Sequence, residues 1–293
     1  MGVQRFLQYI KFEKRFSPHT VLAYESDLDQ FFKYQQATFE TSDPNEINHT
    51  MIRSWIVSLM EAKISPRSVN RKITSLKSFY KFLLRDGSIA TNPMLKIQSP
   101  KTSKRLPVFV DQNKMDILFD QVDFGEGYEA SRDKLMLELF YATGMRLSEL
   151  VNLKDTDIDL NSCQIKVLGK RNKERIIPFT NSLKEVIVEY LQKKREHFSN
   201  VINHLFLTDK GKPIYQKLVY RIVNQRLGEV TTLDKKSPHV LRHTFATHML
   251  NHGADINSIK EILGHANLSA TQVYTHNTIE KLKKVYKQAH PRA

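Results

Sequence analysis

The feature that most constrains this chain is a break in its hydrophobic periodicity. Up to about residue 95 the apolar patterns have a helical period. Lys96 to Leu106 (Lys-Ile-Gln-Ser-Pro-Lys-Thr-Ser-Lys-Arg-Leu) is then polar, basic and without period, and beyond it helical and alternating patterns mix. A chain of 293 residues is too long for one ordinary core. The break therefore predicts a helical domain over 1–95, a linker over 96–106, and a mixed domain over 107–293 that closes with a tail at 277–293. The fold class expected is mainly α with a small β-sheet or hairpin: an all-α N-terminal domain followed by a mixed α+β C-terminal domain.

Local signals place the helices. Ser17-Pro18 and Ser65-Pro66 each read as an N-cap followed by proline at the first helical position. The helix after Ser17 carries Val21, Leu22, Tyr24, Leu28, Phe31 and Phe32, and a second holds Met51, Ile52, Trp55, Ile56, Leu59 and Met60. The helix after Ser65 carries Val69, Ile73, Leu76, Phe79, Tyr80, Leu83 and Leu84 at steps of three and four. Its other face, Arg67, Asn70, Arg71, Lys72, Ser75 and Lys77, is polar and basic, fit either for solvent or for a nucleic-acid groove. In the second half, helical periodicity covers about 111–122, 131–142, 182–196, 214–227, 238–251, 255–263, 270–275 and 278–288. Gln164–Leu168 and Glu174–Phe179 flank Gly169-Lys-Arg-Asn-Lys173 as a hairpin with a basic turn.

Charge narrows the partner. The net formal charge is +14, with 17 Lys+Arg against 9 Asp+Glu in residues 1–106 and 28 against 22 in residues 107–293. Both halves can face a polyanion, which a single basic tail would not achieve. One cysteine excludes an intrachain disulfide and a Cys-rich metal site. No apolar run reaches the ~18 residues of a membrane span, and the N-terminus has no signal-peptide pattern, so a cytoplasmic protein with no membrane partner is expected.

Four segments can carry chemistry. In Ser237-Pro-His-Val-Leu-Arg-His243, a cap and a first-position proline put His239 and Arg242 on one face of a first helical turn, beside free N–H groups and the positive end of the helix dipole. That is a phosphate site able to move a proton, or a surface His/Arg pair. In Thr143-Gly-Met-Arg-Leu-Ser-Glu-Leu150, Gly144 ends one helix and Arg146 opens the next, with Glu149 placed to orient it; an anion clamp and a helix-end salt bridge both fit. Lys170 sits at the hairpin tip, as a groove-reaching or an ordinary turn lysine. In Leu263-Gly-His-Ala-Asn-Leu-Ser-Ala-Thr-Gln-Val-Tyr-Thr-His276, Gly264 fits a helix end, Ser269 and Gln272 fit a capping box, and His265 and Tyr274 lie in the turn and on the short helix that follows.

Taken together, Arg146, Lys170, His239, Arg242, His265 and Tyr274, in the order and spacing of these motifs, resemble the tyrosine recombinase (phage integrase) family, with no member missing or substituted. Ser17-Pro-His-Thr-Val-Leu-Ala-Tyr24 and Ser65-Pro-Arg-Ser-Val-Asn-Arg71 look like the family's core-binding domain. The closing His290-Pro-Arg-Ala293 resembles the Xer chromosome-dimer resolvases. The resemblance implies a C-shaped clamp on double-stranded DNA and transesterification without metal, ATP or other cofactor. Tyr274 would attack the scissile phosphate to give a 3′-phosphotyrosine and a 5′-hydroxyl. His239 would act as base, Arg146 and Arg242 would hold the non-bridging oxygens, Lys170 would protonate the leaving oxygen, and His265 would donate a further hydrogen bond.

The tail carries an apolar stripe at helical spacing, Ile279, Leu282, Val285 and Tyr286, which could pack on its own domain; the resemblance implies instead that each tail docks on a neighbour, with four subunits on two DNA sites as a homo- or hetero-tetramer with a second related recombinase. An FtsK-type translocase is a candidate partner. Arg67, Asn70, Arg71, Lys72, Lys77, Lys101, Lys104 and Arg105 are the expected DNA contacts. The role expected is dimer resolution at cell division; a mobile-element integrase or an invertase of the same family is the alternative. A non-catalytic DNA-binding protein and a type IB topoisomerase are the rivals outside it.

Overall fold

The computed structural model describes residues 2–102, 108–169, 174–199, 202–264 and 276–292, with backbone only for 276–281. The chain forms two compact units, Met1–Arg105 and Leu106–Ala293.

The N-terminal unit is all helical. Helices α1 (Gly2–Gln8), α2 (Pro18–Phe39), α3 (His49–Glu61) and α4 (Pro66–Arg85) surround a single core, with a π-helical turn at Tyr9–Glu13 and a 3-10 turn at Pro93–Lys96. Ser17 and Ser65 cap α2 and α4, each accepting from the backbone N–H three residues on, with Pro18 and Pro66 in the first turn. The core is aromatic: Phe31 meets Trp55 at 5.0 Å, and Phe6 meets Phe79 at 5.5 Å, both edge to face. Each such side chain, fully buried, contributes about 1.5–3 kcal/mol of transfer free energy.

The core also holds a charge cluster that periodicity misassigned. Asp27 on α2 is wholly buried and accepts from Arg71, from Lys72 Nζ at 3.0 Å and from Ser75 Oγ at 2.8 Å, all on α4. Lys72 thus belongs inside and not on the basic face: it is 7% exposed and also bonds Gln30. The reason is geometric. Lys72 lies four residues before Leu76 and seven before Phe79, on the same stripe, so its stem packs inward while its ammonium reaches the buried carboxylate.

The segment after α4 is partly packed. Ile97 is buried in the N-terminal core, Asn70 Nδ2 donates to the Pro100 carbonyl at 2.8 Å, and Arg53 donates to the Lys96 carbonyl.

The C-terminal unit is built around α6 (Gly127–Thr143), preceded by α5 (Gln112–Asp120) and followed by α7 (Leu147–Val151). Twelve of the seventeen residues of α6 are buried. A helix buried over most of its surface carries apolar residues on most sides, which is why its sequence shows weak amphipathicity. Strands β1 (Ile158–Asp159), β2 (Gln164–Leu168) and β3 (Glu174–Pro178) form an antiparallel sheet in that order, with Ile165 opposite Ile177 and Val167 opposite Arg175. Helices α8 (Asn181–His197), α9 (Gln216–Val230), α10 (Pro238–Asn251), α11 (Ile256–Leu263) and α12 (His276–Ala289) complete the described elements.

The tail packs on its own unit in this chain. Leu282, Tyr286 and Ala289 are buried in the C-terminal core, and His290 stacks on Tyr286 at 4.9 Å while donating from Nε2 to the Tyr141 carbonyl. Burial pushes the His290 imidazole down to about 4, so it is neutral at pH 7. Arg292 then pairs with both oxygens of Asp120 on α5. Among the described residues no helix is long and apolar enough to cross a membrane.

Candidate active site

Four helix ends converge in the C-terminal unit. α6 stops at Gly144, whose φ of +58° reverses the chain, and a Cβ there would lie 2.5 Å from Phe245 and 2.7 Å from Leu263. Only glycine permits both the left-handed turn and that approach of α10 and α11. α11 ends in the same way at Gly264, φ +64°. The N-terminal turns of α7 and α10 deliver Arg146 and Arg242 to this junction.

The arginines hold the exit of α11. Arg242, buried on α10, donates from Nη1 to the Gly144 carbonyl at 2.6 Å and from Nη2 to the Leu263 carbonyl at 2.8 Å. Arg146 donates from Nη2 to the Gly264 carbonyl at 3.0 Å and from Nη1 to Glu149 at 2.7 Å, with its side chain one-third exposed. These carbonyls are the orphan acceptors of a helix C-terminus, and cations are favoured there.

Glu149 lies beneath them. It accepts from the Arg146 backbone N–H at 2.7 Å, closing the first turn of α7, and from both terminal nitrogens of Arg175 at 2.7 and 2.8 Å. Burial alone would push its carboxyl up, but hydrogen bonds and charge from Arg175, then Arg146, outweigh it and hold the group at about 2. This depressed value contributes stability at neutral pH that is lost only as pH falls from the usual carboxylate range towards 2. Burial, then the neighbouring Arg146 and Arg175, brings Arg242 down to about 10, which leaves it charged at neutral pH. Among the described residues one carboxylate therefore faces three guanidiniums, and the cluster keeps a positive excess suited to an anion.

Of the six residues singled out by sequence, Arg146 and Arg242 are brought onto adjacent carbonyls. His239 is exposed one turn before Arg242 on α10, capped at Ser237, with its ring 5.3 Å from that of His243. Lys170, His265 and Tyr274 lie outside the described residues, as do Lys104, Arg105 and the short helix expected at 270–275.

On the N-terminal unit, Arg67, Lys77 and Lys101 are exposed. Arg71 gives its guanidinium to Asp27, and Asn70 holds the segment after α4. Two features were missed in the sequence. Arg175 is a charged residue at an inward position of an alternating strand, which is itself the signal. The outer face of α9 presents Tyr215, Lys217, Tyr220, Arg221 and Gln225 around one groove, an aromatic and basic surface of the kind that suits nucleic acid.

Comparison with known proteins gives the class. The phage integrase family matches residues 109–281, and the phage integrase N-terminal SAM-like domain matches residues 3–87. The chain belongs to the phage integrase family. Its relatives include the tyrosine recombinase XerC of Staphylococcus saprophyticus, 40% identical over 99% of this chain and 97% of the relative, and that of Chlorobaculum tepidum, 38% identical over 98% and 94%. Among solved structures, the XerA recombinase aligns over 100% of this chain and 99% of its own at 28% identity and TM-score 0.50. The XerH site-specific recombinase, solved on palindromic difH substrate in a post-cleavage complex, shares the fold at TM-score 0.71 and 20% identity over 97% of this chain and 93% of its own.

Proposed function

We propose that this chain is a site-specific tyrosine recombinase that cuts and rejoins double-stranded DNA through a 3′-phosphotyrosine at Tyr274, serving Xer-type resolution of chromosome or plasmid dimers. The observation that carries this reading is the convergence of Arg146 and Arg242 on the end of α11, a fixed cationic cradle immediately before the segment that holds His265 and Tyr274.

Breaking a phosphodiester asks for positioning, charge stabilisation and proton transfer. Arg146 and Arg242 are held by carbonyls and by Glu149, so they need little rearrangement as charge grows on the phosphate. The N–H groups of the first α10 turn add to that field. Tyrosine, with a pKa of about 10, must lose its proton during attack. His239 takes it in this scheme, Lys170 protonates the departing 5′-oxygen, and His265 donates to the phosphate. Each acid or base contributes typically about 10²–10⁴-fold. The phosphotyrosine conserves the bond energy, so rejoining consumes no ATP. The exposed Arg67, Lys77 and Lys101 and the outer face of α9 supply contacts to the duplex.

The test is covalent capture. Incubated with genomic DNA from its source and denatured, the chain is expected to remain attached to DNA at one chromosomal site. Attachment at the ends of mobile elements would favour the integrase reading, and relaxation of supercoils on DNA without any preferred site would favour a topoisomerase.

Four copies on two sites complete the proposal, with a second related recombinase and an FtsK-type translocase as candidate partners and the cytoplasmic nucleoid as the location. Leu282 and Tyr286, buried on their own unit here, would pass between copies in that assembly. Light scattering of the complex on the captured site is expected to report four protomers and two duplexes; a single protomer per duplex at saturation would contradict it. Recombination by the purified chain alone would remove the need for the two partners.

A further inference from the structure

Arg175 has no part in the scheme above, yet it is the most constrained cation near the site. It is 3% exposed, on the inward face of β3, directly opposite Val167. Its guanidinium is fully engaged: Nη1 and Nη2 reach the two oxygens of Glu149, and Nε reaches the Ile262 carbonyl at 2.7 Å. Its stem lies flat over Gly264, where an added Cβ would be 3.0 Å from Cδ and 3.3 Å from Nε. Ile262, Leu263 and Gly264 thus each give a carbonyl to a different arginine: Arg175, Arg242 and Arg146.

The arrangement decides where Glu149 spends its charge. Each carboxylate oxygen accepts one bond from Arg175 and one from Arg146, the latter from Nη1 on one oxygen and from the backbone N–H on the other. Without Arg175, a carboxylate only 2% exposed would keep Arg146 as its one hydrogen-bonded cation among the described residues. In a poorly solvated site that attraction is strong. Arg146 would turn its second nitrogen from the Gly264 carbonyl to Glu149 and become half of a neutral pair.

We propose that Arg175 is a positioning residue for strand cleavage, one that neutralises Glu149 so that Arg146 keeps its charge for the scissile phosphate, and that fixes the exit of α11 through Ile262. This rests on the reading that Arg146 holds the phosphate. β3 begins four residues after Lys170, so Arg175 also ties the base of the basic hairpin to the turn that leads to His265.

The experiment measures single-turnover cleavage at saturating DNA, on a nicked duplex carrying the chromosomal site recovered from the covalent adduct, with DNA affinity measured in parallel. Arg175→Met is expected to bind within about twofold of the unmodified chain and to cleave about 10- to 100-fold more slowly, the range for a small displacement of a reacting group. Adding Glu149→Gln to Arg175→Met is expected to restore a large part of that loss, because the unopposed carboxylate charge is gone. A purely bracing role predicts no such rescue, so a double variant no faster than Arg175→Met overturns the proposal, as does an unchanged rate in the single variant.

If Arg175→Met does not fold by circular dichroism, Arg175→Lys takes its place. A lysine keeps a charge on Glu149 but does not reach Ile262 at the same time, and about tenfold slower cleavage at unchanged affinity is expected; the unmodified rate would refute the role. The unmodified chain run alongside reports separately on the proposed function: if it forms no adduct, both readings fall, and if it does, the variants judge Arg175 alone.

Discussion

Arg242→Gln is expected to lower the rate of covalent attachment to DNA by about 10²–10³-fold, the cost of removing one preorganised donor to a developing oxyanion. The side chain joins three elements: it stands on α10, donates to Gly144 at the end of α6, and donates to Leu263 at the end of α11. Glutamine is shorter and neutral. It leaves one of the two buried carbonyls without a donor, at about 1–3 kcal/mol, and removes the positive charge that in the proposed reaction faces the phosphate. Arg242→Lys keeps the charge but not the fork, so it too is expected to be severely slowed. Adduct formation against time, with DNA affinity measured alongside, separates lost chemistry from lost binding. A rate within tenfold of the unmodified chain would mean that Arg242 only ties helices together.

The second large effect concerns stability and lies in the other unit. Asp27→Ala removes the carboxylate that answers Lys72, which is 7% exposed, and Arg71. Breaking a buried ion pair by deleting one partner costs about 3–5 kcal/mol, because the other charge is left unsolvated. That is a large share of the ~5–15 kcal/mol that holds a typical domain. The chain's single tryptophan, Trp55, reports on this unit, since its ring packs on Phe31 of the helix that carries Asp27. Urea unfolding followed by Trp55 fluorescence is expected to shift to markedly lower denaturant. A change below about 1 kcal/mol would show that Lys72 finds another partner or reaches water.

These two residues mark the boundary of what the sequence displays. Local signals were legible: Ser17-Pro18, Ser65-Pro66 and Ser237-Pro238 open α2, α4 and α10, and Gly144 and Gly264 end α6 and α11 with positive φ. Caps and glycine turns involve residues within three or four positions, so their chemistry is written locally. The hairpin was visible for the same reason, although β1 adds two residues, Ile158 and Asp159, too few to show alternation.

What was not legible depends on residues far apart in the chain. Lys72 looked like part of a basic face because its buried partner Asp27 sits 45 residues earlier. Arg175 drew no notice in the sequence because Glu149 and the Ile262 carbonyl stand 26 and 87 residues away. The same limit applies to the tail: its apolar stripe was plain, but only packing places Leu282 and Tyr286 in the core of their own unit. Glu149 is the intermediate case, since a spacing of three from Arg146 suggested their contact while its second arginine came from strand β3.

In the proposed reaction Tyr274 becomes covalently linked to DNA. The most direct test is a denaturing gel of Tyr274→Phe beside the unmodified chain, both incubated with the same nicked duplex. A denaturant-resistant protein–DNA band is expected for the unmodified chain, and none for Tyr274→Phe despite undiminished DNA binding. A covalent band formed by Tyr274→Phe would contradict the proposed reaction.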